Sequence, residues 1–349
     1  MNYNDLLKNE NSSSLFIAEA GINHDGDINK AKRMIDAAVA AKADYVKFQS
    51  FKAGKLVTPN ALTSTYIDKG SHKGESFKDL LKRLELSDED HYELKDYCDK
   101  KGIKFLSTAF HNESLDLLIK IGIDLVKVAS GDVTNIPLLR HMASTGLPIV
   151  MSTGMATLGE IEEALNAITK EGNNKIVLLH CISWYPAEIE TTNLRFMQTL
   201  KYAFGYPVGY SDHTLGINMT VAARALGAKV LEKHFTLNSQ EFGPDHEASI
   251  EPSELISLVR GIREVEAGLG STVRQFGEKE IGQRKVHRRS IVISTKVNKG
   301  DFLTFDNLTI KRPGIGITPK LIDEIVGKVA LRDLEPETLL KWSDFEDSN

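Results

Sequence analysis

The sequence predicts an α/β fold in which short apolar strands alternate with amphipathic helices. Eight strand-like segments are centred on Phe16, Val46, Phe105, Val126, Ile149, Val177, Val208 and Val230. Each is followed by a helical pattern, and eight such units in about 250 residues is the size of a (β/α)8 TIM barrel. A doubly wound open sheet is the competing α/β architecture. It is disfavoured because no strand is followed by a G-x-G-x-x-G or phosphate-loop lysine motif.

The composition is that of an ordinary globular protein. Of 349 residues, 41% are hydrophobic and 26% are charged, and the formal net charge is −5. This charge provides no long-range attraction to nucleic acid, and no run of about 20 apolar residues suits a membrane. The two cysteines imply no disulfide framework, and the polar N-terminus lacks the apolar core of a signal peptide. We therefore expect a cytoplasmic protein that binds neither nucleic acid nor membranes.

The first two strands are separated by one helix and followed by a long loop. Leu15–Ala20 is an apolar run that contains Glu19 near its end, and a helix with apolar residues at i, i+3 and i+4 begins at Asn29. Tyr45–Gln49 is the second strand. The polar stretch Lys52–Gly74 that follows is longer than ordinary connections, which is typical of a functional or mobile loop.

From residue 103 onward, strands and helices alternate regularly. The predicted strands are Ile103–Thr108, Asp124–Ala129, Pro148–Ser152, Lys175–Cys181, Val208–Ser211 and Lys229–His234. The predicted helices are Leu115–Ile121, Ile136–Ser144, one that opens at Thr157, Leu194–Tyr202, Gly216–Leu226 and Pro252–Ala267. Thr157 and Glu160 have the spacing of a capping box.

The last part of the chain has a different pattern. Residues 271–287 are charged and contain glycine, which predicts a linker between the barrel at 1–270 and a small module at 288–349. In this module Ser290–Ile293 is strand-like, and Arg312–Pro313–Gly314 indicates a tight backbone path. A module of about 60 residues is near the lower limit for independent stability, so we expect it to dock on another surface.

Polar side chains lie at the ends of all eight predicted strands. They are Glu19, Lys47, Gln49, Thr108, Lys127, Ser130, Ser152, His180, Ser211, His213, Glu232 and His234. In a barrel, the carboxyl ends of the strands meet at one face and build the active site. An ordinary polar rim is the alternative for the whole set, and a lone lysine at a strand end usually extends into solvent.

Three kinds of chemistry are represented in this set. Lys47 and Lys127, together with the hydroxyl groups, make a candidate phosphate pocket. His213 and His234 are candidate ligands of a divalent metal ion, although a hydrogen-bonded pair of core histidines is the alternative. The candidate acids and bases are Glu19, Asp132, Glu232 and Asp245. A barrel with a phosphate pocket, a metal and no cofactor motif predicts carbon–carbon bond formation or isomerisation on phosphorylated or sugar-like substrates.

Longer motifs in the chain resemble those of the sialic acid synthase family. The matching segments are AEAGINHDG at 18–26, VKFQ at 46–49, FLST at 105–108, KVASGD at 127–132, MSTGM at 151–155, LHC at 179–181, YP at 185–186, GYSDH at 209–213, EKHFT at 232–236 and GPDH at 243–246. The tail resembles the antifreeze-like SAF domain of these enzymes, a β-clip-like fold, with KRPG at 311–314 in the matching place. The resemblance covers nearly the whole chain.

This resemblance implies condensation of phosphoenolpyruvate with an N-acyl hexosamine aldehyde to give a nine-carbon 2-keto acid and phosphate. The residues implied to hold phosphoenolpyruvate are Lys47, Thr108, Lys127, Ser130, Ser152 and Ser211. The residues implied to face the sugar or the reacting centre are Glu19, Gln49, Asp132, Tyr185 and Asp245. Ser183 is also expected to bind substrate. Of these two sets, Glu19, Lys47, Asp132 and Tyr185 are expected to be catalytic.

The resemblance also implies a cofactor and a partner. His213 and His234 are expected to bind a divalent metal, first Mn²⁺, with Mg²⁺ or Co²⁺ as alternatives. Arg312 is expected to reach the acyl group of the sugar from the tail of a second subunit. This implies a domain-swapped homodimer.

Departures from the family pattern lie on the sugar side of the expected site. They are Ile182–Ser183–Trp184, Ala109 in place of a frequent proline, and a loop around His72 without the asparagine that some members carry. N-acetylmannosamine is the first expected substrate, with N-acetylneuraminate as the product. The alternative is 2,4-diacetamido-2,4,6-trideoxymannose, which gives legionaminate, whereas a pseudaminate synthase fits the motifs less well. A lysine Schiff-base aldolase and a non-catalytic carbohydrate-binding barrel are more distant alternatives.

Overall fold

The computed structural model describes residues 13–62 and 75–346. The predicted loop around His72 lies outside these described residues. The chain separates into two units, Met1–Gly270 and Ser271–Asn349, and each contains its own cluster of buried apolar side chains. No helix within 13–62 and 75–346 combines the length and the hydropathy that a bilayer crossing requires.

Eight parallel strands close the first unit into a barrel. The strands are β1 Leu15–Gly21, β2 Tyr45–Ser50, β3 Lys104–Ala109, β4 Val126–Val128, β5 Ile149–Ser152, β6 Ile176–Cys181, β7 Val208–Asp212 and β8 Val230–His234. Each strand pairs with its neighbours in the sequence, and β1 also pairs with β8. This closure confirms the predicted (β/α)8 TIM barrel, because an open sheet would leave two unpaired edges.

Helices follow the strands in the expected alternation. They are α1 Ile28–Ala40, α2 Ala53–Leu56, α3 Phe77–Leu84, α4 Asp88–Lys101, α5 Asn112–Lys120, α6 Ile136–Ser144, α7 Leu158–Lys170, α8 Phe196–Phe204, α9 Asn218–Ala225 and α10 Pro252–Leu269. The predicted capping box is present at α7, where the Thr157 hydroxyl accepts from Glu160 N and the Glu160 carboxylate accepts from Thr157 N. Satisfying these two end groups defines where α7 begins.

The interior of the barrel is apolar at one end and polar at the other. The inner apolar layer consists of Leu15, Ile17, Tyr45, Leu106, Leu125, Val150, Val177, Leu179 and Val230. Side chains two residues apart on a strand point to the same face, so Glu19 follows Ile17 into the barrel and Glu232 follows Val230. In the same way Lys47 follows Tyr45, and Lys127 follows Leu125. The register pairs Glu19 with Lys47 and Ser211 with Glu232, which brings these polar groups to one level.

The second unit is small and rich in loops. It contains α11 Glu278–His287, β9 Ser290–Ile293, β10 Leu308–Lys311, α12 Ile322–Ile325, β11 Val329–Ala330 and β12 Phe345–Glu346. Its apolar cluster includes Ile291, Leu303 and Leu340. The helix α11 lies within the segment predicted as a linker. Its apolar residues Ile281 and Val286 are exposed and do not form the continuous apolar face by which a helix is recognised in a sequence. The boundaries at 271 and 288 stay a prediction.

A buried ion pair connects the last two strands of the barrel. Asp212 and Lys233 are fully buried, and the carboxylate and ammonium are 3.1 Å apart. The carboxylate also accepts hydrogen bonds from Thr214 N at 2.9 Å and from Thr220 Oγ1 at 2.6 Å. Removing one partner of such a pair leaves an uncompensated charge in the core.

We therefore predict that Asp212→Asn lowers the free energy of unfolding by about 3 kcal/mol or more. Urea denaturation followed by circular dichroism measures this change. The control is Glu264→Gln on α10, whose exposed carboxylate lies 3.8 Å from Arg260, and it should leave the midpoint unchanged. Equal midpoints for the two variants would contradict the argument.

Candidate active site

A cavity of about 420 Å³ opens at the carboxyl ends of the barrel strands. Twelve of the predicted site residues line it: Glu19, Lys47, Gln49, Thr108, Lys127, Ser130, Ser152, Ser183, Tyr185, Ser211, His213 and His234. Glu232 lines it as well, together with the apolar side chains of Phe110, Ala129 and Met155. These groups come from strands far apart in the sequence, and closure of the barrel brings them together.

Two lysines and two carboxylates form a charged cluster at the bottom of the cavity. The Lys47 ammonium lies 2.8 Å from Glu19 Oε2 and 3.7 Å from Glu232 Oε2. The Lys127 ammonium lies 3.6 Å from Glu232 Oε1. All four side chains are at least 95% buried. Buried ammonium groups of this kind are tolerated because both face the Glu232 carboxylate.

Hydroxyl groups hold the two lysines in place. Lys47 Nζ donates to Thr108 Oγ1 at 3.0 Å, and Lys127 Nζ donates to Ser152 Oγ at 2.8 Å. Ser211 Oγ donates to Glu232 Oε1 at 3.0 Å. Each hydroxyl can still offer or accept a further hydrogen bond. The arrangement therefore presents cations and adaptable donors on one wall of the cavity.

The pKa values of the two glutamates are shifted in opposite directions. Burial raises the pKa of Glu19, and the neighbouring Glu232 carboxylate adds to the rise, although Lys47 opposes it. Burial also acts on Glu232, but Lys127 and Lys47 outweigh it, so that the pKa of Glu232 is lowered. Two carboxyl groups with pKa values moved in opposite directions are typical of an acid and an ionised partner in one site. With Glu19 protonated, two ammonium groups face one carboxylate, which suits an anionic ligand.

A close approach of the backbone shapes the other side of the cavity. Ser130 Oγ accepts from Gly154 N at 3.0 Å. A Cβ atom on Gly154 would lie 2.1 Å from Ser183 Oγ and 2.9 Å from Ser130 Oγ. Only glycine fits here without displacing both serines. The glycine of the MSTGM motif thus keeps two predicted substrate-binding hydroxyls in position.

Two histidines on the last two strands lie on the wall of the cavity beside Tyr185. The ring centroids of His213 and His234 are 5.5 Å apart, and the Tyr185 ring stacks on His213 at 4.1 Å. His213 Nδ1 lies 2.5 Å from Ile182 O, so this nitrogen donates and Nε2 carries the lone pair. Burial lowers the pKa of His213 to about 4 and that of His234 well below its ordinary value.

This pair has the properties that a metal site requires. Both imidazoles are neutral near pH 7, which is the ligand form, and the hydrogen bond to Ile182 O orients His213. Buried His234 Nδ1 has no hydrogen-bond partner among the described residues, and it lies 3.8 Å from Asp245 Oδ2. Two imidazoles beside carboxylates suit a divalent first-row ion.

A second group of ligand-type side chains lies elsewhere on the barrel. Oxygen and nitrogen atoms of Asp25, Glu241 and His246 are close enough to share one ion. The Lys30 ammonium, however, already pairs with both carboxylates. The group therefore works as an ion-pair network that ties the loop after β1 to the loop after β8.

Three predicted site residues do not line the main cavity. Asp132 lies in the short 3₁₀ turn Ser130–Asp132, half-buried, where it accepts from Asn135 Nδ2 at 3.1 Å. Asp245 lines a smaller adjoining cavity of about 120 Å³ that it shares with Gln49, Tyr185 and His234. Arg312 is an exposed residue of the second unit. Asp245 thus lies next to the site, and Asp132 lies outside the cavity lining. The role of Arg312 stays a prediction.

The residue roles implied by the family resemblance did not include Glu232. The sequence did single it out as a candidate acid or base, because it ends an apolar strand, but its position between both lysines depends on the register of β7 and β8. The apolar lining residues Phe110 and Met155 were also missed. Their side chains give no signal in the sequence that distinguishes a cavity wall from a core.

Comparison with known families accounts for this combination of barrel and site. A model of the NeuB family matches residues 34–274, and a model of the SAF domain matches residues 288–346. The chain belongs to the NeuB family. This confirms the resemblance to sialic acid synthases and the presence of a C-terminal SAF domain.

Several relatives of this NeuB-family chain are synthases by name. The N,N'-diacetyllegionaminic acid synthase of Campylobacter jejuni is 44% identical. The alignment covers 94% of this chain and 99% of the Campylobacter jejuni protein. The enzyme of the same name from Legionella pneumophila is 43% identical, covering 95% and 94%. An N-acetylneuraminic acid synthetase from Leptospira borgpetersenii, known from a crystal structure, is 36% identical in sequence. Its structure superposes with a TM-score of 0.69, and the match covers 78% of this chain and 90% of that one. The chain is therefore an enzyme of this kind.

The histidine pair leads to a test that does not depend on turnover. We predict that His213→Ala weakens Mn²⁺ binding by more than about 100-fold, because one of two imidazole ligands is lost. Electron paramagnetic resonance of free Mn²⁺ measures the affinity. His141→Ala is the matched control, since this histidine pairs with Asp116 on the barrel surface. Unchanged Mn²⁺ affinity in His213→Ala would remove this residue from the metal site.

Proposed function

We propose that this NeuB-family enzyme condenses phosphoenolpyruvate with an N-acyl hexosamine aldehyde and water. The products are a nine-carbon 2-keto acid and free phosphate. The observation that carries this proposal is the pair of buried lysines, each hydrogen-bonded to a hydroxyl of a neighbouring strand, beside two neutral histidines in one cavity.

The charged wall of the cavity supports phosphoenolpyruvate as the first substrate. Lys47 and Lys127 present two cations, and Thr108, Ser152 and Ser211 present directional hydroxyls around them. A phosphate or carboxylate group needs this combination of point charge and directed donors. Because the groups are buried and held by each other, they are already oriented before the substrate binds.

The two histidines support a metal-assisted reaction. A divalent ion held by His213 and His234, first Mn²⁺ and otherwise Mg²⁺ or Co²⁺, would supply a Lewis acid that polarises the aldehyde oxygen. The chain itself keeps both imidazoles unprotonated through burial and orients His213 through Ile182 O. Asp245 beside His234 and Tyr185 stacked on His213 define the side from which the sugar approaches.

Glu19 has the protonation state that a proton donor to the aldehyde requires. In the reaction, C3 of phosphoenolpyruvate bonds to the aldehyde carbon and the aldehyde oxygen takes up a proton. Water then adds to C2 and loses a proton. The bond from C2 to the phosphate oxygen then breaks, and the proton of the new C2 hydroxyl passes to the departing phosphate, which leaves the ketone. Burial keeps Glu19 protonated for the first proton transfer, and the resulting carboxylate can take the proton of the water. Glu232 stays ionised and preserves the charge of both lysines.

The identity of the sugar is the finer part of the proposal. The sequence motifs favoured N-acetylmannosamine, and the name of the Leptospira borgpetersenii enzyme agrees with that choice. Two relatives with higher identity, at 44% and 43%, are named N,N'-diacetyllegionaminic acid synthases. These names support 2,4-diacetamido-2,4,6-trideoxymannose as the preferred substrate, with N-acetylmannosamine as the second candidate.

Phosphate release provides the decisive assay. We predict that the enzyme releases phosphate from phosphoenolpyruvate in Mn²⁺ with one of these two sugars, and that it releases none in EDTA. We also predict that Glu19→Gln lowers kcat by about 10²–10⁴-fold. The wild-type rate should decline as the pH rises through the pKa of Glu19, because the acid form is lost, and the variant should lack this limb. Trapping of the protein by borohydride with substrate, together with turnover in EDTA, would instead favour the Schiff-base aldolase. No release with either sugar from folded, Mn²⁺-loaded protein would favour a binding role.

Arg312 is proposed to act from a second subunit in a domain-swapped homodimer. We predict that Arg312→Ala raises KM for the sugar, and that mixing inactive Glu19→Gln with Arg312→Ala restores activity. Exchange of subunits makes half of the dimers mixed, with one complete site in each, so recovery should reach about a quarter of the wild-type rate. Mixing Arg312→Ala with a second Arg312 variant is the control. No recovery despite demonstrated subunit exchange would contradict an active site shared between subunits.

A further inference from the structure

Each of the two histidines proposed to bind the metal follows a fully buried charged residue in the sequence. Asp212 precedes His213 at the end of β7, and Lys233 precedes His234 at the end of β8. The register pairs Asp212 with Lys233, and their carboxylate and ammonium groups are 3.1 Å apart. Because successive side chains of a strand point to opposite faces, the histidines line the cavity and the charged pair lies behind them.

Thr214 extends this ion pair to the other side of His213. The Thr214 amide and hydroxyl both donate to Asp212 Oδ1, at 2.9 and 2.8 Å. The Lys233 ammonium in turn donates to Thr214 O. Both neighbours of His213 are therefore bonded to the residue that precedes His234. We name the group formed by Asp212, Thr214 and Lys233 the ion-pair link.

The ion-pair link is also fixed to the helical layer of the barrel. Thr220 of α9 donates to Asp212 Oδ2 at 2.6 Å, and all three residues of the link are fully buried, as is Thr220. Hydrogen bonds between charged and polar groups are strong where water is excluded. A well-packed apolar pair could stabilise the core equally well. The polar link therefore offers something that stability alone does not require, which is a directional connection between two strand ends.

His234 needs such a connection more than His213 does. His213 Nδ1 donates to Ile182 O at 2.5 Å, whereas His234 Nδ1 has no hydrogen-bond partner within the described ranges. The His234 ring packs edge-on against Tyr185, with 5.6 Å between the ring centroids. Its position otherwise follows from the backbone of β8, which Lys233 ties to both sides of His213.

We propose that the ion-pair link positions His213 and His234 relative to one another so that they can share a divalent cation. This inference rests on the proposed function, which assigns the metal to these two histidines. Asp212 and Lys233 line neither cavity at the site, so they are positioning residues that act through their neighbours. Because their charges are opposite, the pair holds the ligands without adding net charge behind the cation.

The affinity of the full-length protein for Mn²⁺ tests this inference without requiring turnover. Electron paramagnetic resonance of free Mn²⁺ is measured with wild type, Lys233→Met and Asp212→Asn, and circular dichroism confirms that each variant is folded. We expect both variants to bind Mn²⁺ about 10-fold more weakly, since each breaks the link. A purely electrostatic role predicts opposite signs, because Lys233→Met removes a positive charge and would tighten binding. The Lys233→Met result therefore distinguishes positioning from charge.

Glu266→Gln is the matched control for a loss of stability. Its carboxylate lies 3.1 Å from the fully buried Arg224 and also accepts from Ser14, which precedes β1 at the opposite end of the barrel. This variant should be destabilised yet bind Mn²⁺ as wild type does. If Lys233→Met does not fold, Thr220→Val provides the test, since it keeps the ion pair and removes one hydrogen bond to Asp212. We then expect Mn²⁺ binding at least about threefold weaker.

The outcomes separate this inference from the proposed function. Unchanged or tighter Mn²⁺ binding in folded Lys233→Met, or unchanged binding in Thr220→Val where that variant replaces it, overturns the inference. Equal weakening in Glu266→Gln also overturns it, because lost stability would then account for the effect. Unchanged affinity in His213→Ala instead removes the metal site of the proposed function, and the inference is overturned with it.

Discussion

The packing of two buried lysines against Glu19 and the ionised Glu232 carboxylate inside the barrel is the interaction on which the charge of the site depends. Lys47 on β2 lies between Glu19 on β1 and Glu232 on β8, and Lys127 on β4 also faces Glu232. An ammonium group in this position is tolerated only when its partners are in place. Because these partners come from four strands, the register of the closed barrel and the charge of the site depend on the same geometry.

Burial then prepares the remaining groups of the site through one physical effect. Removal from water disfavours the charged form of any side chain. It therefore keeps His213 and His234 neutral and able to bind a metal, and it holds a proton on Glu19. Glu232 differs because Lys127 and Lys47 lower its pKa by more than burial raises it. Two candidate metal ligands, a candidate proton donor and a cationic wall thus share one desolvated cavity, as the proposed condensation requires.

Much of the fold and the site could be predicted from local patterns. Alternating strands and helices indicated eight units, and eleven of the twelve polar residues at predicted strand ends line the cavity, all except His180. The central position of Glu232 could not be predicted, because it follows from pairing between β7 and β8. The helix α11 was missed because it has no apolar face. The leucines of α3 that line the smaller adjoining cavity were also missed, since leucines on a helix are read as core.

The amino-acid sequence by itself determined the fold class, the family and the set of reactive side chains. These are encoded by residue type and spacing along the chain, which every strand carries locally. Only the tertiary structure decided which of these side chains meet, which carboxyl keeps its proton, and which face of α3 borders the site. The physical reason is that distance and desolvation act between strands remote in sequence, and no local pattern specifies either quantity.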